Sequence, residues 1–248
     1  MQLMEFNIYY IEVNFSQTTI SQDFPCIIAT GVVHSRTRYC TLYQLGDQIF
    51  FYAPQNSLSR STHEDLTLYQ VPEAYLLPKP TDITNEKFIN SLKVTFSSLN
   101  ALHYSLSVLQ NDSIFIIHPP DSIPIHISCT LGLSVFYYSK EEFKSKGVRV
   151  LNFPDNLLGE TGGLGVNYIL DFSETHSSST KKSIIDCLAI RGKWGIKNQQ
   201  FQLDPPESYS VFMRNASICF FNEDSWPYSG SDHSKFLHLL TSCLKYLK

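Results

Sequence analysis

The chain has 248 residues, 43% of them apolar and 17% charged, with 17 Phe, 14 Tyr and a formal net charge of −4. Such a chain can bury a good core in one large domain or two small ones, and its composition excludes a disordered polypeptide. The acidic balance argues against a general nucleic-acid or anionic-membrane surface, and no apolar run is long enough to span a bilayer.

Residues 1–15 carry Glu5 and Glu12 inside an apolar stretch and no basic leader, so no signal peptide is expected. Six cysteines are present, none within four residues of another, which leaves no Cys-x-x-Cys pair for zinc or redox work. Several, such as Cys219, sit in apolar runs as small buried hydrophobes, which suits a reduced, cytoplasmic protein.

In chain order, residues 6–13 read as an aromatic and β-branched strand. Leu45-Gly46-Asp47-Gln48 is a turn feeding a strand at 49–52, and 66–71 alternates as a half-buried strand should. Pro78-Lys79-Pro80 closes this β-rich region. From Thr84, Phe88, Leu92, Phe96, Leu99, His103, Leu106 and Leu109 recur at helical steps, with Thr84 or Asn85 able to cap the start. Short apolar strands follow at 114–117, 133–138, 148–153, 166–170, 184–190 and 218–221, separated by turns or short helices, and a helical stripe from Phe236 to Leu247 ends the chain. Strands buried on both faces with helices between them predict a parallel α/β sheet.

Particular stretches then resemble a known family. Gln202-Leu203-Asp204-Pro205-Pro206-Glu207-Ser208, with Val211-Phe212, residues 216–222 and Trp226, is similar to the quinone oxidoreductase-like, zeta-crystallin-like branch of the zinc-free medium-chain dehydrogenase/reductase superfamily. Glu160-Thr161-Gly162-Gly163-Leu164-Gly165-Val166 with Ile169-Leu170-Asp171, Ala101-Leu102-His103-Tyr104, and Leu45-Gly46-Asp47 resemble further stretches of it. The resemblance implies an α/β fold: a Rossmann-like parallel-sheet domain at 83–248, its glycine loop degenerate, preceded by a truncated, β-rich GroES-like domain at 1–82. Against that family the chain reads as short, with no counterpart to the opening strands or the returning C-terminal segment of the catalytic domain.

A dinucleotide pyrophosphate needs backbone N–H groups at a helix N-terminus, reached through a glycine turn after the first strand of the α/β domain. Here that turn is His118-Pro119-Pro120-Asp121-Ser122-Ile123-Pro124, with no glycine, three prolines that donate nothing, and a carboxylate where the ligand is negative. Gly162-Gly163-Leu164-Gly165 is no substitute, because it precedes a strand instead of opening a helix; it reads as a turn into the fourth strand. After the second strand, Ser139 and Lys140 place a hydroxyl and a cation that would suit the 2′-phosphate of NADP, as vestigial cofactor-binding residues; the alternative is a solvated lysine beside Glu141 and Glu142.

His63-Glu64-Asp65 lacks the glycine and the cysteine partner of a zinc signature and reads as surface. His34, His126 and His238 form no triad or metal set, and no serine lies in a nucleophile elbow. No catalytic residue, metal or cofactor is therefore expected. The resemblance then implies a pseudoenzyme acting as a structural or interaction subunit, of the endosomal FERRY complex that carries messenger RNA, with protein partners on early endosomes. The enzyme alternative is a zinc-independent NADPH-dependent quinone oxidoreductase. Direct RNA binding, suggested by zeta-crystallin relatives, is opposed by the acidic balance and the lack of a Lys/Arg stripe. In the resembled family the last strand pairs across a two-fold axis, which predicts a homodimer through the edge strand from Ala216 to Phe221.

Overall fold

A computed structural model describes residues 10–20, 26–36, 40, 42–54, 58–63, 66–72, 75–139, 143, 148–151 and 155–247. The chain forms two compact units, Met1–Lys93 with Asp224–Lys248, and Val94–Glu223.

The first unit is built on a six-stranded antiparallel sheet of β1 (Tyr10–Ile20), β2 (Cys26–Arg36), β3 (Gln48–Pro54), β4 (Ser59–His63), β5 (Leu66–Pro72) and β6 (Leu76–Pro78), in the order β4-β5-β1-β2-β3-β6. Strand β3 shows how alternation places the core. Ile49, Phe51 and Ala53 join Ile27, Ala29 and Val71 in one apolar cluster. The intervening Phe50 and Tyr52 turn to helices, Phe50 against Phe88 at 4.9 Å and Tyr52 against Phe236 at 5.7 Å between ring centroids. Strands β2, β4 and β6 do not appear in the sequence reading. At the turn before β3, Gly46 has φ +89° and the Asp47 carboxylate accepts from Gln44 N at 2.7 Å.

These units divide the chain differently from a boundary at 82/83. The C-terminal segment, with helix α6 (His233–Cys243), groups with the antiparallel sheet. Named bonds hold it there: the Tyr52 hydroxyl donates to Asp224 Oδ1, Cys26 Sγ donates to the Asp224 carbonyl at 3.4 Å, and Tyr75 packs edge-on against His233 at 4.8 Å. The apolar stripe of Phe236, Leu239, Leu240 and Cys243 is buried, so the helical reading holds although the segment belongs to the other unit.

Helix α1 (Asn85–Asn100) carries the predicted stripe and runs on into a π turn, Ala101–Ser105, closed by Leu106 N donating to Ala101 O at 2.8 Å. The second unit is a parallel sheet of β7 (Ser113–Ile117), β8 (Ser134–Tyr138), β9 (Arg149–Val150), β10 (Val166–Asp171), β11 (Leu188–Ile196) and β12 (Ser217–Phe220), ordered β12-β11-β10-β7-β8-β9. Helices α2 (Ile123–Thr130), α3 (Asp155–Glu160), α4 (Ser178–Asp186) and α5 (Pro205–Met213) connect the strands. This is a Rossmann-like, doubly wound sheet.

One expected strand, at 184–190, is corrected. Ile184 and Ile185 are the buried face of α4, and the strand starts at Leu188 after the helix cap at Cys187. A continuous apolar run cannot by itself distinguish a buried helix end from a strand start. The turn reading of the glycine cluster agrees with the structure: Gly162, Gly163 and Gly165 all have positive φ just before β10. A Cβ on Gly165 would collide with the Cys187 carbonyl.

Candidate functional site

In an open parallel sheet the crevice beyond the carboxyl ends of the strands, where the winding direction reverses, is the natural ligand site. Here the reversal falls between β7, which starts the winding toward β8, and β10, which starts it toward β11. A cavity of about 570 Å³ lies there, walled by His118, Pro119 and Pro120 after β7, Tyr138 and Ser139 at the end of β8, and residues 172–175 after β10.

The wall after β7 is the glycine-free, proline-rich turn noted in the sequence. His118 stands in the left-handed region at φ +49°, where glycine is the usual occupant, and its amide donates to the Tyr138 carbonyl at 2.8 Å. The Asp121 carboxylate accepts from the Ile123 amide at 2.7 Å, the first N–H of α2. Pro124 follows with no N–H at all. An anion at this helix N-terminus would therefore meet a carboxylate already in place and a missing donor. Burial pushes the Asp121 carboxyl above its usual range, and the Ile123 bond offsets part of that. The residues present do not fit a dinucleotide pyrophosphate held in the ordinary way.

The wall after β10 is built on Asp171, whose side chain is fully buried. Its Oδ1 accepts from Ser173 N at 2.9 Å, and its Oδ2 lies 2.7 Å from His176 Nε2 and 3.1 Å from Trp194 Nε1. Against a carboxylate the His176 Nε2 is the donor, which leaves its buried Nδ1 without a partner. The imidazole stands edge-on to Trp194 and Phe201, at 5.7 and 5.4 Å. The Phe172 amide donates to the Ile117 carbonyl at 3.1 Å and joins the two walls. Helix α4 then starts with a capped turn, Ser177 Oγ accepting from Thr180 N at 3.2 Å.

Of the residues singled out in the sequence, Ser139 lines the crevice, and Lys140 lies outside the described residues, as do Glu64 and Asp65. The Asp171, His176 and Trp194 group was not foreseen; its one signal is an acid ending an apolar strand in Ile169-Leu170-Asp171. Among the described residues, no three or more His, Cys, Asp or Glu side chains group so as to hold a metal ion. Among them, too, no helix is long and apolar enough to cross a membrane. The block Leu203-Asp204-Pro205-Pro206-Glu207 proves to be a helix start: Asp204 N donates to Glu207 Oε2 at 2.9 Å and Pro205 opens α5. Glu207 is also buried against Lys181 of α4 at 2.7 Å.

No family model matches the chain. It is 24% identical over 247 residues to quinone oxidoreductase-like protein 1 of Mus musculus, spanning 88% of this chain and 70% of that protein. An alcohol dehydrogenase superfamily protein from Novosphingobium aromaticivorans superposes with a TM-score of 0.72 at 13% identity, covering 98% of this chain and 80% of the other. A mycobacterial protein solved in complex with NADPH gives 0.68 at 14% identity, covering 95% and 80%. The resemblance read from the sequence thus stands: the chain is similar to quinone oxidoreductase-like protein 1 over most of its length, and its fold, with a Rossmann-like parallel sheet and an antiparallel sheet of GroES-like kind, is that of a solved alcohol dehydrogenase superfamily protein.

Proposed function

We propose that this chain keeps the reductase fold without dinucleotide chemistry and works as a structural or interaction subunit. The observation that carries the reading is the Asp121 carboxylate on the Ile123 amide, with prolines at 119, 120 and 124 around it. On this reading its partners are proteins of the early-endosomal FERRY assembly, reached from the cytoplasm; the support is the resemblance to quinone oxidoreductase-like protein 1.

The same reading includes a homodimer through β12. This strand ends the sheet, and Phe220 is 56% exposed on it. Tyr209, Phe212 and Met213 are exposed on α5, which precedes β12 in the chain, and Ile190 is exposed on β11, the strand β12 pairs with. An unprotected apolar edge invites isologous pairing. Ile218 packs against the core of its own unit, so Phe212 and Phe220 are the positions to test. Lysines at both should convert a dimer to a folded monomer in sedimentation; a monomeric parent chain well above micromolar concentration would end the dimer reading.

The comparisons favour a second reading, an NADPH-dependent, zinc-independent quinone oxidoreductase. Several similar solved structures are reductases, one is an NADPH complex, and the crevice is open. Titration of the purified chain with NADPH and NADH decides between the two. A flat fluorescence and calorimetric response through the micromolar range is expected; a saturable signal dependent on the 2′-phosphate would establish the enzyme reading instead.

A further inference from the structure

At the end of the parallel sheet away from the crevice, three neighbouring strands carry large apolar side chains in the open. Leu164, in the turn before β10, is 79% exposed; Ile190, on β11, is 70% exposed; and Met213, closing α5 before β12, is 58% exposed. We infer that this rim is a docking surface for an acidic amphipathic helix of a partner protein, an inference that rests on the interaction-subunit reading above. The rim lies at the amino ends of the strands, whereas the proposed dimer pairs along the length of β12.

A distortion of β11 creates the rim. Val166 pairs with Leu188 and Tyr168 with Lys193, so two steps along β10 are matched by five along β11 and three residues are extra. A bulge of this kind re-aims the side chains it carries. Gly192 lets the extra loop fold closely, since a Cβ there would stand 2.9 Å from the Ala189 carbonyl oxygen. Arg191 takes up the reversal at φ +64°. A non-glycine residue holds that conformation only where its surroundings impose it, and such residues gather at binding surfaces. The Arg191 amide donates to the Arg214 carbonyl at 2.8 Å, which fastens the loop to the turn after α5. On the other side, a Cβ on Gly165 would stand 2.9 Å from Ala189 N, so the turn bearing Leu164 lies against the same loop. The strand order β12-β11-β10 then sets Ile190 between Met213 and Leu164.

Spacing and charge name the occupant. Neighbouring strands lie about 4.8 Å apart, so the two outer side chains are separated by roughly 10 Å. Seven residues of an α-helix rise about 10.5 Å. Apolar residues at i, i+3 or i+4, and i+7 of one helix therefore reach all three positions. The open charge on the rim is positive. The carboxylates of the neighbouring turns are engaged, Asp186 by Arg214 at 3.0 Å, Glu160 by Arg149, and Asp112 by the Tyr168 hydroxyl at 2.8 Å. Arg191 is exposed and, among the described residues, no carboxylate pairs with it. Acids flanking the apolar stripe of the partner meet that cation, and a basic helix is repelled by it.

The test is selection on the full chain from a displayed library of helix-forming peptides of about 15 residues, with acidic, basic and apolar residues mixed at every position. Acidic sequences with apolar residues at helical spacing should dominate, and a synthetic copy of the commonest should bind in the micromolar range by fluorescence anisotropy. Ile190→Glu should weaken that peptide by about tenfold or more, with the melting temperature unchanged. Arg191→Gly removes the cation and supplies a residue at ease with positive φ. It should weaken the peptide by about fivefold or more, yet unfold no more easily than the parent. Ile190→Glu should also sediment as the parent does; loss of a dimer would assign the rim to a second copy of this chain and overturn the inference. Enrichment of basic or extended sequences, no enrichment at all, or binding indifferent to both substitutions would overturn it too. None of these outcomes touches the proposed function, which the NADPH titration decides.

Discussion

The two walls of the crevice are made by the same kind of segment, a strand-to-helix turn, and are held in opposite ways. After β10 the turn is determined from within: one buried carboxylate gathers a backbone amide, an imidazole and an indole, and a serine caps the helix that follows. After β7 the turn rests on backbone stiffness and local bonds, with Asp121 accepting from the Ile123 amide and the His118 amide donating to the Tyr138 carbonyl. It has a left-handed non-glycine residue, two prolines, and a helix whose residue at the cap position, Ser122, makes no side-chain bond to it. The first arrangement fixes the turn through buried bonds, whereas the second sets a proline-rich segment and the Asp121 carboxylate at the start of α2.

The sharpest way to break this contrast is at Asp171. Removing one partner of a buried, hydrogen-bonded charge leaves the others uncompensated, typically at a cost of about 3–5 kcal/mol. Asp171→Ala should therefore lower stability by about that amount, read as the urea midpoint, and Asp171→Asn by less because one oxygen still accepts. A loss within about 0.5 kcal/mol, as for an ordinary surface position, would show that the β10 turn is not organised by this residue.

The caps provide a smaller, paired test. Ser177 Oγ accepts from the Thr180 amide, whereas Ser122 makes no such bond at α2. Ser177→Ala should cost about 1 kcal/mol, the usual worth of an N-cap. Ser122→Ala should stay within about 0.5 kcal/mol. Equal losses at the two positions in chemical denaturation would erase the distinction between the turns.

What could be read in the sequence follows from which signals are local. The parallel strands at 114–117, 166–170 and 218–221 announce themselves as compact apolar runs, and α1 by a long stripe of period 3.6. The proline-rich, glycine-free turn after β7 is equally plain, because proline and glycine act on the backbone wherever they stand. The seating of residues 224–248 against the antiparallel sheet depends on Tyr52 meeting Asp224, a pairing 172 residues apart with no local trace. Strand β2 has a burial pattern in which Cys26 to Gly31 are all inaccessible, so it lacks the alternation by which half-buried strands are recognised. The Asp171 group was hidden for the same reason: Asp171, His176 and Trp194 are brought together by the parallel pairing of β10 with β11.

The smallest expected effect is the most direct measure of the β7 wall. Burial raises the Asp121 carboxyl above the ordinary range of a carboxyl group, and the amide bond from Ile123 opposes this only in part. The folded chain thus holds this proton more tightly than the unfolded chain does. Asp121 contributes stability fully below the unfolded value, and loses it as pH rises through the folded value. Asparagine offers Ile123 the same acceptor oxygen but cannot ionise. Asp121→Asn should therefore alter neutral-pH stability by no more than about 0.5 kcal/mol, and the variant should gain on the parent as pH rises from acid to neutral. Urea midpoints for both chains from pH 3 to pH 7 would trace that crossing. If the parent instead gains on the variant as pH rises, the ionised carboxylate is favoured at the helix N-terminus more strongly than burial opposes it. The bond from the Ile123 amide to Asp121 would then be a source of stability instead of a small cost.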